Sequence, residues 1–432
     1  MSMRRFSVTI LLIVMSVFLF LNCVSQGSEI TLELWHVWTG TRQPLLREVL
    51  NRFERNNPDI KVEDIVLDPS QFFEKVKVAW ASGSGPDVAM NYLNELYGLA
   101  AFLQPLDPFI KADGKDLGQL IYPVVAEMIQ YQGRTYYLPL LISTGNHLIY
   151  YNKEHFAEVG LDPNNPPRYH SEFQEAAKRL TRRGPDQRLE RLGVNILGNS
   201  HSLRQLNLQA FVEQQGSGLY DKAMRTVLPD FELAVRTLEW MIDFAERTIG
   251  SAAESMTFGG NLQSGQHSIR LDQEHLYYQI VSSYPDFPVA IALLPQPDGQ
   301  TTPRTRVHPS WGYNMSAHCK QTAEAWELIK WLAIEPDGAG WFVHQQNRLA
   351  ASPRINQHPH NYSANPYWDV LMAATNYTVF NASQLVPGID YTWARNLIGE
   401  AVEAAGKGTQ DPRSALLVTR DRIQAVINEV LR

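Results

Sequence analysis

The alternation of apolar strands and amphipathic helices near the start of the chain constrains its fold more than any other feature. Residues 30–35 have the pattern of a strand, and residues 42–57 then place apolar side chains every three or four positions, as in a helix with one buried face. A second strand at 60–66, a second helix at 70–82 and a third strand beginning at Asp87 repeat the pattern. Strands that alternate with helices in this way predict an α/β fold with a parallel sheet.

The same pattern returns beyond a helix-rich middle section. Helical periodicity marks residues 171–182 and 230–248, whereas 183–206 has the composition of a loop that contains a short strand. Further strands are predicted at 148–151, 289–294 and 311–316, a helix at 321–334, and two C-terminal helices within 393–431. Because α/β segments lie on both sides of the helical block, we predict two lobes, joined by several crossings of the chain, with a cleft between them.

The N-terminus has the features of an export signal. Arg4 and Arg5 precede 16 almost wholly apolar residues, which is shorter than a membrane-spanning helix requires. We therefore predict a signal peptide at 1–22 and a short tether at 23–28. Cys23 follows the apolar run directly, as in the lipobox of bacterial lipoproteins, and is the predicted lipidation site, although Asn22 stands where a smaller residue is commoner. A plain secreted protein and an uncleaved anchor are the alternatives.

Charge and motif content exclude several classes of function. A net charge of −7 argues against nucleic acid as a partner, since phosphates require a basic face. The chain has no G-x-S-x-G, H-E-x-x-H, C-x-x-C, phosphate-loop or G-x-G-x-x-G motif. We predict no catalytic residues, no metal site and no cofactor. A carboxylate pair such as Asp272 and Glu274 leaves a glycosidase as the alternative.

Six segments match, in order, the motifs of one known family. They are TLELW at 31–35, FERNNPDIKV at 53–62, ASGSGPDV at 81–88, GRTYYLP at 133–139, LIYYNKEHFAEVGL at 148–161 and AWELIKWL at 325–332. The chain thereby resembles the extracellular solute-binding proteins of ABC importers, specifically the carbohydrate-binding group that includes maltose-binding protein. Departures at 167–172 and 265–269 mean that the resemblance does not identify the ligand.

The resemblance implies a type II periplasmic-binding-protein fold, in which two α/β lobes, each a sheet flanked by helices, are joined by hinge segments. The implied division is 29–139 and 290–345 for the first lobe, and 140–289 and 346–432 for the second. Crossings of the chain are expected near 139–145, 288–290 and 345–355, where they absorb the rotation of hinge closure.

The implied function is the substrate-binding component of an ABC importer, not an enzyme. It would capture a sugar or oligosaccharide in the cleft and deliver it to the transmembrane permease subunits. The expected protein is a monomer in the periplasm or at the cell surface, attached to the membrane only through Cys23. Three alternatives stay open: a polyol, glycerol phosphodiester or other polar solute as the ligand, an exported carbohydrate hydrolase, and a ligand-presenting sensor.

Ligands of open α/β sheets bind in loops that follow the carboxyl ends of strands. Aromatic rings there can cover the C–H face of a sugar, while carboxylates, amides and guanidinium groups bind its hydroxyls. With the resemblance, this reasoning gives a predicted set of ligand-binding residues: Trp35, His36, Trp38, Thr39, Tyr92, Asn94, Glu95, Asp272, Gln273, Glu274, Trp311, Tyr313, Tyr391, Trp393 and Arg395. Trp80, Trp240, Trp326 and Trp331 lie on predicted helix faces and are expected in the core.

Overall fold

The strands of the protein form two mixed five-stranded sheets and two short two-stranded ladders. The structure is a computed structural model that describes residues 29–221, 223, 225–376, 389 and 391–432. In chain order the strands are β1 (Ile30–His36), β2 (Ile60–Val66), β3 (Val88–Tyr92), β4 (Gln130–Tyr131), β5 (Arg134–Thr135), β6 (Leu138–Pro139), β7 (Ile142–Ser143), β8 (Leu148–Asn152), β9 (Arg182–Arg183), β10 (Leu189–Val194), β11 (His267–Asp272), β12 (Val289–Leu293), β13 (His308–Pro309) and β14 (Trp311–Met315).

Helices flank both sheets. In chain order they are α1 (Arg42–Asn56), α2 (Phe72–Ala81), α3 (Leu96–Leu99), α4 (Asp107–Ala112), α5 (Leu117–Leu120), α6 (Pro123–Met128), α7 (Lys153–Glu158), α8 (His170–Leu180), α9 (His201–Gln214), α10 (Phe231–Ile249), α11 (Ala252–Thr257), α12 (Leu276–Ser283), α13 (Thr322–Ala333), α14 (Trp341–His344), α15 (Pro353–Asn356), α16 (Pro359–Ala364), α17 (Trp368–Asn376), α18 (Tyr391–Gly406) and α19 (Pro412–Val430).

The first sheet confirms the predicted parallel α/β unit. Its strand order is β2-β1-β3-β14-β6, with β1 parallel to both β2 and β3 and with β14 antiparallel to β3. Leu32 and Leu34 of the central strand β1 are fully buried. The apolar faces of α1 and α2 supply the facing layer through buried side chains such as Leu50 and Trp80. The five elements from β1 to β3 lie within two residues of the predicted ones.

The second sheet has the strand order β12-β8-β11-β10-β9. Strands β10 and β11 are parallel, and β8 is antiparallel to both β11 and β12. The helices α8, α9, α10, α18 and α19 surround it, with an apolar cluster that includes Phe173, Phe211, Met241 and Ile398. Two sheets that are each covered by helices confirm the predicted α/β class.

The chain passes from one sheet to the other at 140–147 and at 294–310. The ladder between β7 and β13 joins these two crossings, and a bridge from Leu141 to Ala350 adds the third segment expected near 345–355. The predicted second crossing at 288–290 is wrong, because β12 pairs with β8 along its whole length. The lobe boundary placed at residue 290 is wrong for the same reason: the return to the first sheet begins after Leu293.

Helix α9 was missed, since residues 183–206 were predicted to be a loop. The cause is its burial on every side: Arg204, Gln205, Asn207, Gln209 and Glu213 are buried beside its apolar residues. A helix enclosed by protein needs no polar face, so the 3–4 periodicity that identifies surface helices is absent. Because its polar side chains are buried, they require hydrogen-bond partners within the protein.

The four tryptophans expected in the core are confirmed there. Trp80 and Trp326 are buried. The Trp331 indole donates a 3.0 Å hydrogen bond to the Val49 carbonyl, and Trp240 packs against the cluster of the second sheet. Within the described residues, no helix combines the length and apolar character that a membrane crossing requires.

Candidate functional site

An accessible pair of aromatic rings lies where β3 and β14 run side by side. Tyr92 and Trp311 are register partners whose ring centroids lie 5.0 Å apart with an interplanar angle of 89°. Both are partly exposed. Trp38 lies 5.7 Å from the rings of Trp311 and Phe342 but is only 1% exposed. In this conformation Tyr92 and Trp311 therefore offer ring surface to a ligand, whereas Trp38 is enclosed by protein.

The other predicted residues of the first loop have varied surroundings. His36 is fully buried; its Nδ1 accepts a 3.1 Å hydrogen bond from the backbone N–H two residues later, and its Nε2 lies 3.3 Å from Asp64 Oδ2. Burial lowers the pKa of His36 despite the nearby carboxylate, which favours a neutral ring that fixes the loop. Trp35 donates its indole N–H to Glu33, and Thr39 is exposed.

Two further predicted residues of the first lobe are buried in different degrees. Tyr313 is only 1% exposed and belongs to the core. Glu95 is partly buried, and burial raises the pKa of its carboxyl group to about 7. Its Oε2 has no hydrogen-bond partner in the part of the chain that the structure describes. The side chain of Asn94 lies outside that part.

Glu274, in the turn after β11, binds residues of the segments 140–147 and 345–355. It is fully buried, and its Oε1 accepts a 3.0 Å hydrogen bond from Arg348 Nη2 while its Oε2 accepts one of 3.2 Å from the Thr144 N–H. Burial is the largest single influence and favours the neutral acid, but the charges of Arg348 and His275 together with the hydrogen bonds from Arg348 and Thr144 hold the pKa of Glu274 below its ordinary value. This ion pair therefore joins the second sheet to the first and third crossing segments.

Asp272 and Gln273, which precede Glu274 in the chain, also have their polar groups bound by neighbouring residues. The Ser143 hydroxyl donates a 2.7 Å hydrogen bond to Gln273 Oε1, and the Tyr150 hydroxyl donates one of 2.7 Å to the Gln273 carbonyl. Asp272 pairs with Arg270, with 2.6 Å between Oδ2 and Nη2. Their carboxylate and amide groups are engaged by the protein, so in this conformation they organise the turn after β11.

A buried polar cluster that was not predicted lies where α9 meets the crossings. Glu213 forms a 2.8 Å hydrogen bond with His147 Nε2, accepts one of 2.7 Å from Gln209, and lies 3.5 Å from Arg306 Nη1. Burial favours neutral Glu213, but the Arg306 charge and the bonds from His147 and Gln209 lower its pKa below the ordinary value. The carboxylate is therefore ionised in a buried place between the sheets.

The start of α18 brings two predicted residues to this cluster. Burial raises the pKa of the Tyr391 hydroxyl, and the positive charges of Arg306 and Arg395 oppose the rise. Burial likewise raises the pKa of Tyr92, with Tyr391 adding to the rise. The Arg395 guanidinium lies 5.7 Å from the Tyr391 ring centroid, and Trp393 packs against the cluster of the second sheet. The charge of Arg306 thus opposes the rise in pKa at both tyrosines.

From the predicted set, the structure places Tyr92 against Trp311 and Arg395 near Tyr391. It adds Glu213, Arg306, His147, Gln209 and Arg348, which sequence reasoning missed. One signal could have identified part of this group: Gln209 stands within, and Glu213 directly after, the mostly apolar stretch 208–212. Arg306 and Arg348 stand in loops, where an arginine is unremarkable, so only the fold could place them.

Comparison with known proteins identifies the family. Residues 39–336 match the family described as bacterial extracellular solute-binding protein. The match covers well over half of the chain. The chain belongs to this family. Its members are binding proteins, as the resemblance implied.

Solved structures of solute-binding proteins have the same fold. The cyclic alpha-maltosyl-1,6-maltose binding protein of Arthrobacter globiformis matches with a TM-score of 0.76 and 18% identity, covering 93% of this chain and 99% of that one. An ABC transporter solute-binding protein of Thermotoga lettingae TMO, solved with alpha-D-tagatose, matches with a TM-score of 0.71 and 19% identity, covering 92% of this chain and 100% of that one. The chain therefore has the two-lobed type II periplasmic-binding-protein fold.

A relative is also similar in sequence over a shorter stretch. This solute-binding protein is 23% identical over 162 residues to the sn-glycerol-3-phosphate-binding periplasmic protein UgpB of Agrobacterium fabrum. The matched stretch is 36% of this chain and spans 37% of that relative. This match agrees with the assigned family. Because it spans little more than a third of the relative, it does not assign that protein's activity or partners to this chain.

Proposed function

We propose that this solute-binding protein captures a carbohydrate between its two sheets and delivers it to an ABC importer. The observation that carries the proposal is the partly exposed Tyr92–Trp311 pair of the first sheet. The buried charged cluster of Glu213 and Arg306, which joins α9 to the crossing at 294–310, supports it. Aromatic rings beside a few fixed polar groups form the general pattern of small-molecule sites. Solved structures of the same fold contain bound maltose, mannobiose and alpha-D-tagatose.

The chemistry of the site suits a sugar ring. The apolar C–H face can lie against the rings of Tyr92 and Trp311, since aromatic side chains give large contact area with little loss of conformational freedom. The hydroxyl groups can bond to Glu213, Gln209 and Arg306, and bonds to charged groups are the stronger ones. Asp272, Gln273 and Glu274 then act indirectly, by holding the turn after β11 against the crossing segments.

Hinge closure is the proposed mechanism. The segments 140–147 and 294–310 connect the sheets, and 345–355 is bridged to the first of them through Leu141 and Ala350. A rotation about these segments opens the site in the proposed mechanism. A ligand that contacts both sides stabilises the closed form by the difference between its affinities for the two forms. The closed protein then docks on the transmembrane permease subunits, whose ATPase supplies the energy of transport.

The division into lobes follows from the crossings. We propose that residues 29–139 form the first lobe with the segment that follows the second crossing, up to residue 345. Residues 140–289, extended to Leu293 by the pairing of β12, form the second lobe with 346–432.

The proposed location is the periplasm or the cell surface, in agreement with an extracellular solute-binding family. The predicted signal peptide and Cys23 lie outside the described residues, and acylation of Cys23 is part of the proposal. Labelling with a fatty-acid probe in a bacterial host tests it: label is expected on the intact chain and lost in Cys23→Ser, and label on both contradicts the anchor. The protein is proposed to act as a monomer and without catalysis.

A thermal-shift screen tests the function. Mono-, di- and oligosaccharides and their derivatives are added to the purified mature protein, and a true ligand raises Tm because it binds only the folded state. Each ligand found is then recovered and analysed. An unchanged ligand supports a receptor; a sugar that is cleaved instead supports the exported hydrolase and contradicts the proposal.

A further inference from the structure

Four guanidinium groups lie along the site between the sheets, and we call Arg42, Arg306, Arg348 and Arg395 the arginine arc. The charges of Arg306 and Arg395 both act on the Tyr391 hydroxyl, as described above. The charges of Arg348 and Arg306 both act on Tyr92, and the charge of Arg348 also reaches Arg42, whose pKa is lowered by burial first and by Arg348 second. Two contacts place members of the arc beside predicted site residues: the Arg42 guanidinium lies 5.1 Å from the Trp38 ring centroid, and that of Arg395 lies 5.7 Å from the Tyr391 ring centroid.

Within the described residues, carboxylates pair with only two of the four arginines of the arc. Arg306 faces Glu213, with 3.5 Å between Nη1 and Oε1, and Arg348 faces Glu274 at 3.0 Å. Arg42 and Arg395 have no carboxylate partner within the described part of the chain. Burial lowers the pKa of His308 and His275, which disfavours a positive charge on these two histidines.

Arg306 is the member with the most unmet hydrogen-bonding capacity. The residue is 1% exposed, and its Nε and Nη2 have no hydrogen-bond partner among the described residues. The Nε atoms of Arg348 and Arg395 are buried without a partner in the same sense. Leaving a buried polar group unpaired costs free energy, and more so for a charged group. Such groups on one site indicate a binding partner that accepts hydrogen bonds.

We propose that the ligand of this receptor carries a negatively charged group, a phosphate or a carboxylate, and that Arg306 binds it. A neutral sugar offers acceptor oxygens but leaves the excess charge of the arc uncompensated, whereas an anion supplies both acceptors and charge. The planar guanidinium fork matches a phosphate or a carboxylate with two parallel bonds. The inference rests on the proposed function and specifies its ligand as an acidic sugar, or a sugar or polyol phosphate.

The first test uses inorganic phosphate as the probe, because it needs no knowledge of the natural ligand. Tm is measured against phosphate concentration, at ionic strength held constant with sodium chloride, for the wild type and for Arg306→Gln. Arg304→Gln is the matched control, since Arg304 stands two positions earlier and is exposed. Phosphate also stabilises proteins by exclusion from their surface, and all three proteins share that effect.

We expect phosphate to raise the Tm of the wild type and of Arg304→Gln more than that of Arg306→Gln. Equal responses of the wild type and Arg306→Gln would overturn the inference. If Arg306→Gln does not fold, Glu213→Gln serves instead. It removes the carboxylate that competes with the anion for Arg306, so its response to phosphate should exceed that of the wild type, and an equal or smaller response overturns the inference.

The second test separates the two sources of negative charge by means of matched pairs. Galacturonate is compared with galactose, and sn-glycerol 3-phosphate with glycerol, by calorimetric titration of the wild type and Arg306→Gln. A preferred anion should bind about tenfold or more tightly than its neutral counterpart, and the preference should fall in the variant. A neutral sugar that binds the wild type and Arg306→Gln equally overturns this inference but leaves the proposed function standing. If no carbohydrate or derivative in the wider screen binds, it is the proposed function that fails.

Discussion

At the scale of single residues, burial separates the aromatic side chains that stabilise the fold from those that can contact a ligand. Trp38 and Trp311 lie 5.7 Å apart, but only Trp311 has accessible surface. The rings were equivalent in the sequence, since both follow or begin a strand. Their different roles follow from packing of Trp38 against Phe342, which is distant in the chain.

Trp38→Ala should therefore destabilise the protein more than Trp311→Ala does. Loss of a fully buried tryptophan costs about 3–5 kcal/mol through lost burial and the remaining cavity. Trp311→Ala should instead weaken binding of the ligand found in the screen. Urea denaturation and ligand titration of both variants measure the two effects. A Trp38→Ala protein of normal stability that has lost binding would show that its ring contacts the ligand after all.

Glu95 gives a prediction for the pH dependence of stability. Its pKa is raised to about 7 in the folded protein, above the ordinary value of 4.5. At a pH below both values, Glu95 is neutral in the folded and in the unfolded protein, so its ionisation does not affect the free energy of unfolding. As the pH rises from about 4.5 to about 7, the unfolded chain ionises first, so stability decreases with pH across this window.

Glu95→Gln should accordingly raise Tm relative to the wild type at pH 8 and leave it nearly unchanged at pH 4.5. The exposed Glu239→Gln serves as the control and should have the same small effect at both values. Calorimetric melting curves at the two pH values measure the difference. A Glu95→Gln protein that gains no stability at pH 8 would contradict the buried, raised-pKa carboxyl group.

At the scale of elements, amphipathic segments were predictable and fully buried ones were not. The helices α1, α2 and α10 each bury one face, and their periodicity identified them within two residues. Helix α9 has no such face because protein surrounds it. The two-residue strands β7 and β13 exist through pairing with each other, so no local pattern identifies them and the second crossing was misplaced.

The same limit applies to the candidate site. Aromatic residues at strand ends, such as Tyr92 and Trp311, could be predicted because the topology places strand ends at the cleft. The pair of Glu213 with Arg306 joins a helix to a crossing 93 positions further along the chain, and Glu274 joins Arg348 across 74 positions. Contacts between residues so far apart are set by the fold, and a single sequence contains no local sign of them.

The Glu274–Arg348 pair gives a prediction at this scale. Glu274→Ala leaves Arg348 as a buried charge without its carboxylate, which should reduce the free energy of unfolding by about 3–5 kcal/mol. The double variant Glu274→Gln, Arg348→Met removes both charges and should be closer to the wild type. Urea denaturation of the single and double variants measures the coupling. Equal destabilisation by both would show that the pair does not hold the crossings together.

At the scale of the whole molecule, two helix-covered sheets are connected by neighbouring crossings, and polar groups from both sides meet between them. This arrangement explains why a chain of net charge −7 keeps four arginines along one internal site. In the proposed receptor these groups are held ready for an anionic ligand, and burying them without partners lowers the stability of the protein. Under this proposal, the unpaired groups of Arg306 and its neighbours favour ligand binding but reduce the stability of the protein.

Closure on the ligand should be visible in solution. Small-angle X-ray scattering of the protein with and without saturating ligand is expected to give a smaller radius of gyration in the bound state, because the lobes rotate towards each other. An unchanged radius of gyration on binding would contradict hinge closure. It would not contradict the position of the site, which the variants described above test separately.

The most direct test of the central claim, that this protein is a carbohydrate receptor, is calorimetric titration with the ligand from the screen, followed by recovery and analysis of that ligand. The account predicts saturable one-to-one binding that Trp311→Ala weakens, with the ligand recovered chemically unchanged. Failure of every carbohydrate and carbohydrate derivative to bind, or recovery of a cleaved product, would contradict it.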